Sequence, residues 1–231
     1  GLPGRPNHSW PMNLKRKLMD TNYFELTHDL AEVPMPARPM FYSTDDEKAW
    51  ARKERARLGG DTLIMYSLAG SSIHKVWPHQ DNLFARILTT YPGARIVTVG
   101  DELSQLLEQG WENEPRISRQ SGKYTIRQSM SLLAECDVVI GPETGILNAA
   151  GHMSMPKIVF LSHSSANNLT AHWVNTVALE PENTPCYPCH RMHYSFEHCT
   201  REDSTGTALC QANIGLDQAW SALDRMMRKA A

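Results

Sequence analysis

DTLIMYSLAGSSIHKVWP, residues 61–78, opens on an apolar run from Leu63 to Leu68 and changes abruptly to Ala69, Gly70, Ser71 and Ser72. A short apolar run bounded by small, turn-forming residues is the pattern of a buried strand, and Pro78 is placed to open the helix that follows. The same strand, small-residue loop and helix order recurs in DVVIGPETGILNAA, residues 137–150. Further runs rich in β-branched residues lie at Ala94 to Val99, Val138 to Ile140 and Lys157 to Leu161. Between them, Asn82 to Tyr91, Glu102 to Gln109 and Ile126 to Glu135 have helical spacing, the last with Ile126, Met130, Leu133 and Ala134 on one face. A final helix over Leu216 to Lys229 sets Leu216, Ala219, Trp220, Leu223 and Met226 or Met227 in one stripe. Strands alternating with helices make an α/β fold, a Rossmann-like parallel sheet flanked by helices and joined by right-handed crossovers. Ligands of such open sheets lie at the carboxyl ends of the strands, so the loops at 69–78 and 141–150 are where chemistry is expected.

Outside these stretches the composition is that of a folded globular chain: 231 residues, 41% hydrophobic and 21% charged. No apolar run approaches the roughly 20 residues of a transmembrane helix. The formal charge is -2 with signs mixed along the chain, so no sustained basic surface exists and nucleic acid is not expected as a partner. Lys15, Arg16 and Lys17 read as a solvated helix end. Six of the fourteen prolines fall at positions 3, 6, 11, 34, 36 and 39, around a stretch from Asn13 to Ala31 with helical character. Thr44 and Glu47 then offer a capping box, and Gly59 and Gly60 end the helix it starts. The expected organisation is a linker or interdomain segment with helices over 1–60 and one domain over 61–231. The amino end has no leader pattern, which suggests a cut or processed chain and a cytoplasmic protein, with peripheral attachment to the inner membrane as the extension of that reading.

The two loops suit a diphosphate. In the first, small residues permit close backbone approach, the hydroxyls of Ser71 and Ser72 donate hydrogen bonds, and Lys75 supplies positive charge. In the second, Gly145 and the small residues after it let a helix amino end direct N–H groups at phosphate, while Glu143 accepts from sugar hydroxyls. The plain alternatives are a surface Gly-Ser loop and a helix capped by Glu143 or Thr144.

Taken in order, Gly70-Ser71-Ser72, Lys75-Val76-Trp77-Pro78, Gly100, Ala134-Glu135-Cys136-Asp137, Gly141-Pro142-Glu143-Thr144-Gly145 and Pro156-Lys157 resemble the carboxyl-terminal domain of the ADP-heptose:lipopolysaccharide heptosyltransferases, glycosyltransferase family 9. The resemblance spans roughly residues 61–225. It implies the donor-binding, carboxyl-terminal half of a GT-B fold, partnered by an amino-terminal GT-B domain that supplies the catalytic base for inverting transfer from a nucleotide sugar to a saccharide or other acceptor. By resemblance, Ser71, Ser72 and Lys75 contact the donor phosphates, Glu102 the ribose, and Tyr124 packs near the base. Glu143, Thr144 and Gly145 meet the transferred sugar and the diphosphate, with Asn148 in the same set. The family usually has Asp where Glu143 stands and His where Asn148 stands, so the sugar is not assigned. With 60 residues ahead of the first strand, the chain alone is expected to bind a donor but not to turn it over. A scaffold module built on a GT-B half, and a nucleotide-sugar epimerase, are the competing functions.

Four of the five cysteines fall late: Cys186, Cys189, Cys199 and Cys210, with His190, His193 and His198 among them, in a Cys-rich loop over 184–210. A Cys-x-x-Cys pair followed by two further thiols has the ligand count of a structural Zn site, weighed against free thiols and disulfides. A comparable Cys-x-Pro-Cys cluster occurs in part of the family. No Asp-x-Asp pair is present, so no catalytic metal is expected. Cys136 reads as core. Of the scattered His74, His79, His152, His163 and His172, His163 is the best placed, just past the run ending at Leu161.

Overall fold

The computed structural model describes residues 11, 14, 20–35, 40–70, 72–191 and 199–230. Of the helix expected over 13–31, α1 (Tyr23–Ala31) forms, because the side chain of Asn22 accepts from the N–H groups of Phe24 and Glu25 and so caps its first turn. The basic run 15–17 lies outside the described residues. Helix α2 (Asp45–Leu58) starts on the expected capping box, with Thr44 and Glu47 exchanging side-chain to backbone bonds, and stops at Gly59, whose φ of 66° favours glycine.

A six-stranded sheet follows, every neighbour pair parallel, in the order β3-β2-β1-β4-β5-β6. The strands are β1 (Thr62–Ser67), β2 (Ala94–Val99), β3 (Ile117–Arg119), β4 (Val138–Pro142), β5 (Lys157–Phe160) and β6 (Thr176–Leu179). Side chains of β1 alternate between two buried layers, which is why the strand reads as a continuous apolar run. Ile64 and Tyr66 pack with Ile96, Ile140 and Phe160 against α3 (Gln80–Thr90) and the carboxyl-terminal helix Leu216–Ala230. Leu63 and Met65 pack with Val97, Val139 and Val159 on the other side, beneath Leu132, Leu133 and Leu147. Trp50 and Leu58 of α2 rest on this second layer, and Arg55 of α2 stands 3.7 Å from Asp137.

Gly141 marks where the sheet turns. A Cβ added there would come within 2.5 Å of the Ser67 carbonyl oxygen, so only glycine lets β4 approach β1 this closely. With β2 and β3 on one side of β1 and β4 to β6 on the other, the strand order reverses between β1 and β4, and a crevice opens above the ends of these two strands.

Three expectations change. Strands β3 and β6 carry no long apolar run because they are the two edges, three and four residues long, and in β3 only Ile117 is fully buried. Residues 103–108 form a 3-10 helix, with Leu103 and Leu106 exposed and its start tied by Asp101, whose carboxylate accepts from the N–H and hydroxyl of Ser104. Helix α4 (Ile126–Leu132) tightens into a 3-10 turn at Leu133–Glu135, which shifts the inward stripe. Leu132 and Leu133 are therefore buried, while Ile126 is 64% exposed. The carboxyl-terminal helix keeps its stripe, with Ala219, Leu223 and Met227 buried. No helix among the described residues is long and apolar enough to cross a membrane.

Candidate functional site

Both glycine-containing loops leave the carboxyl ends of adjacent parallel strands, so they rise on one edge of the sheet. The first passes through Gly70 and Ser72 into a 3-10 turn at Ile73–Lys75; Ser71 lies outside the described residues. The second runs from Pro142 into the short helix α5 (Gly145–Ala150). They touch. Lys75 Nζ donates to the carbonyl oxygen of Glu143 at 2.7 Å, and a Cβ at Gly70 would lie 3.6 Å from Thr144. Below them, the hydroxyls of Ser67 and Thr144 share a hydrogen bond of 2.9 Å between the strand ends. Burial lowers the pKa of Lys75, and the neighbouring charge of Glu143 offsets part of that fall.

Thr144 also caps α5, its hydroxyl accepting from the N–H of Leu147. Gly145 is exposed, and a Cβ there would meet nothing within 4 Å, so the amino end of α5 faces open space. Asn148 is exposed on the same helix.

Glu143 faces inward, toward the loop after β5. Its carboxylate accepts from the N–H of Ser162 at 3.1 Å, the hydroxyl of Ser162 at 2.9 Å and the N–H of Ser164 at 3.0 Å, and it pairs with Nδ1 of His163. Burial alone would raise its pKa; the His163 hydrogen bond and charge, Lys75 and Ser162 together carry it below the ordinary value. Both carboxylate oxygens are thus engaged within the chain. The ring of His163 stands 6.0 Å from that of His74, whose Nδ1 is 2.5 Å from the Ser72 hydroxyl.

On the other side of the switch point, Glu102 is exposed at the start of the 3-10 helix after β2. Tyr124 follows β3, but its hydroxyl donates to Glu54 of α2 and its ring meets the edge of Trp50, which ties it to the helical layer. The buried carboxylate of this side is Glu108, which accepts from the hydroxyls of Thr98 and Ser121 and the N–H of Ser121.

Sequence reasoning missed two parts of the assembly. The segment at Asp20 is bound over the loop after β5: Asp20 accepts from the Ser165 hydroxyl at 2.5 Å, lies 3.0 Å from Nε2 of His190, and its carbonyl takes a bond from Asn167. The N–H of His190 in turn donates to the carbonyl of His163 at 2.8 Å. Only the serine-rich SHSS after Leu161 hinted at an anchoring loop.

At Tyr187 the Cys-rich loop comes near this edge, the Tyr187 hydroxyl lying within hydrogen-bond distance of the Ser164 carbonyl at 2.9 Å and of the Glu180 carboxylate at 2.8 Å. Cys186 is exposed, Cys189 and Cys199 half-buried and Cys210 buried. All are free thiols, and among the described residues no three His, Cys, Asp or Glu side chains form a group able to hold a metal. The positions of His193 and His198 lie outside the described residues. Burial pushes up the pKa of Cys199, to about 11, and that of Cys210, and the other late thiols add to both. Cys136 is core, as expected, its Sγ donating to the Leu132 carbonyl.

Sheet order, switch-point crevice and paired loops define one Rossmann-like half of a GT-B protein. The chain belongs to glycosyltransferase family 9 (heptosyltransferase), whose family model matches residues 6–200. Among solved structures it is similar to the ADP-heptose LPS heptosyltransferase II of E. coli, with a TM-score of 0.65 and 14% identity, over 87% of this chain and 57% of that one. It is similar also to a family 9 glycosyltransferase of Veillonella parvula, with a TM-score of 0.64 and 12% identity, over 90% and 60%. A third likeness is to TibC, a dodecameric iron-containing heptosyltransferase solved with ADP-D-beta-D-heptose, with a TM-score of 0.54 and 16% identity, over 74% and 46%. TibC comes from enterotoxigenic E. coli. The chain thus spans no more than 60% of the length of these proteins. No curated protein sequence matches it.

Proposed function

We propose that this chain is the donor-binding half of an inverting glycosyltransferase, taking a nucleoside-diphosphate sugar of the ADP-heptose kind. The observation that carries the reading is the bond from Lys75 to the Glu143 carbonyl, because it puts a half-buried ammonium between the two loops above the switch point. Lys75 and the N–H groups around Gly145 then face the diphosphate, where negative charge grows as the sugar departs. Glu102, exposed beyond β2, is within the nucleoside end of the same edge. Glu143 acts differently from the simplest family expectation: with its carboxylate engaged by Ser162, Ser164 and His163, it fixes the loop after β5 and leaves sugar contacts to its neighbours. The acceptor and the base that deprotonates it belong to an amino-terminal domain, so the chain by itself binds donor without turnover.

Calorimetry with ADP tests this. The chain is expected to bind, and Lys75→Ala to weaken binding by about 1–3 kcal/mol, the range for a hydrogen bond to a charged group. No heat and no thermal shift with any nucleoside diphosphate would overturn the reading.

A structural metal at Cys186, Cys189, Cys199 and Cys210 is part of the proposal. Four thiols are the donor set of a closed tetrahedral zinc site, and the sequence gathers them in the one Cys-rich loop. The metal would fix the loop that carries Tyr187 and His190 against the site and would play no part in transfer. Protein purified without added metal is expected to contain about one zinc per chain, four thiolates being the usual closed set. Iron in its place, the metal named for TibC, would keep the site and change its ion, whereas no stoichiometric metal would end this part of the proposal.

A further inference from the structure

The loop after β5 carries a histidine to which the donor-binding reading gives no part. His163 is clamped on one side only: Nδ1 pairs with the Glu143 carboxylate, while the side chain keeps 17% of its surface exposed. Nδ1 being committed fixes the ring plane and leaves Nε2 as the nitrogen directed away from the carboxylate. Two features bring this ring to the crevice. Its carboxylate partner belongs to the residue whose backbone carbonyl holds Lys75, and its ring centre lies 6.0 Å from that of His74 in the first loop.

Strand order gives the edge a direction. The loops after β2 and β3 carry Glu102 and Tyr124, those after β1 and β4 carry Lys75 and Thr144, and the loop after β5 comes next outward. A nucleotide sugar with its diphosphate at the switch point and its nucleoside toward β2 must extend its far end over β5. We propose that the His163 imidazolium contacts the ligand there, donating from Nδ1–H to Glu143 and from Nε2–H to an oxygen of the distal phosphate, the one that bears the sugar, and that Glu143 is the positioning residue that aims the ring. This inference rests on the donor-binding reading above. It explains why a carboxylate standing at a sugar-facing position is spent on an internal contact: the contact presents an imidazole to the ligand instead.

Calorimetric titration of the whole chain with ADP and with AMP tests the idea, since only ADP carries the distal phosphate. The wild type is expected to bind ADP more tightly than AMP. His163→Ala should weaken ADP by about tenfold or more and leave AMP within about twofold, as for one lost hydrogen bond to a charged group. His163→Gln, which keeps an N–H donor, should recover part of the loss, and unchanged melting temperatures of both variants show that the loop is intact. Glu143→Gln should reproduce the ADP-selective loss if it folds; His163→Ala decides the matter if it does not. Wild type that distinguishes ADP from AMP while His163→Ala binds both as before would overturn this inference and leave the donor-binding reading standing. Equal affinity of the wild type for ADP and AMP, or an equal loss of both in His163→Ala, would overturn it as well. Wild type that binds neither would overturn the donor-binding reading itself.

Discussion

Two lysines sit at opposite edges of one parallel sheet. Lys157 begins β5 at the amino edge and is wholly buried, its Nζ donating to the carbonyls of Met153 at 2.8 Å and Val174 at 2.6 Å. Lys75 follows β1 at the carboxyl edge, half-buried, and among the described residues its Nζ donates to the Glu143 carbonyl, with the charge of the Glu143 carboxylate acting on it. An ammonium has three donors, and Lys157 commits two of them to backbone carbonyls of the loops beneath the sheet. The first is a strut that closes the bottom of the sheet; the second is poised over a crevice. Burial lowers the pKa of both, so the shift alone does not tell a strut from a ligand group. What separates them is the company at the end of the side chain.

The comparison breaks most visibly with pH. Burial pushes the pKa of Lys157 down to about 8 from an ordinary 10.5, so between those values the unfolded chain binds a proton that the folded chain does not. Stability contributed by this residue therefore rises with pH across that window and is lost as pH falls through it, by about 3 kcal/mol in total at about 1.4 kcal/mol per pH unit. Buried phenols run the other way: burial raises the pKa of Tyr66, Tyr124 and Tyr187, so they lose stability as pH climbs past their ordinary 10.0. Subtraction removes that background. Denaturant unfolding of the wild type and of Lys157→Met at a series of pH values should show the wild type gaining on the variant between pH 8 and 10.5. ADP affinity of Lys157→Met should match the wild type, in contrast to Lys75→Ala. A flat difference would mean that Lys157 keeps its charge in the folded state at all these pH values.

Where the fold was legible in the sequence, one physical rule made it so: strands buried on both faces must be apolar throughout, and β1, β2, β4 and β5 each announce themselves as such runs. Edge strands escape that rule, which hid β3 and β6. The placement of the two loops was equally legible, because parallel neighbours must deliver their following loops to one edge. The aim of each side chain was not. Glu143 reads as a sugar-facing carboxylate until the loop after β5 supplies Ser162, Ser164 and His163 from about 20 residues downstream, near enough in space to take both oxygens. Lys157 is hidden for the same reason, since Val174, one of its two acceptors, lies 17 residues on. Long-range polar contacts leave no local period to read.

The smallest effect concerns Thr144, where capping and ligand contact compete for one hydroxyl. In the folded chain that hydroxyl is 2.9 Å from the Ser67 hydroxyl and accepts from the N–H of Leu147 at 3.4 Å, and both Ser67 and Thr144 are buried. Thr144→Val keeps the shape and removes the oxygen, which should cost about 1 kcal/mol of stability in denaturant unfolding, for a lost cap bond and a lost hydroxyl pair. Adding Ser67→Ala should cost less than the two single changes summed, because removing both partners leaves no buried hydroxyl wanting a bond. Affinity for ADP should move by less than about twofold if the hydroxyl stays with Ser67, since no ligand bond is then lost. A loss of tenfold or more in Thr144→Val would show that the hydroxyl leaves Ser67 for the donor, and the carboxyl edge would then be a surface that rearranges on binding, unlike the fixed strut at Lys157.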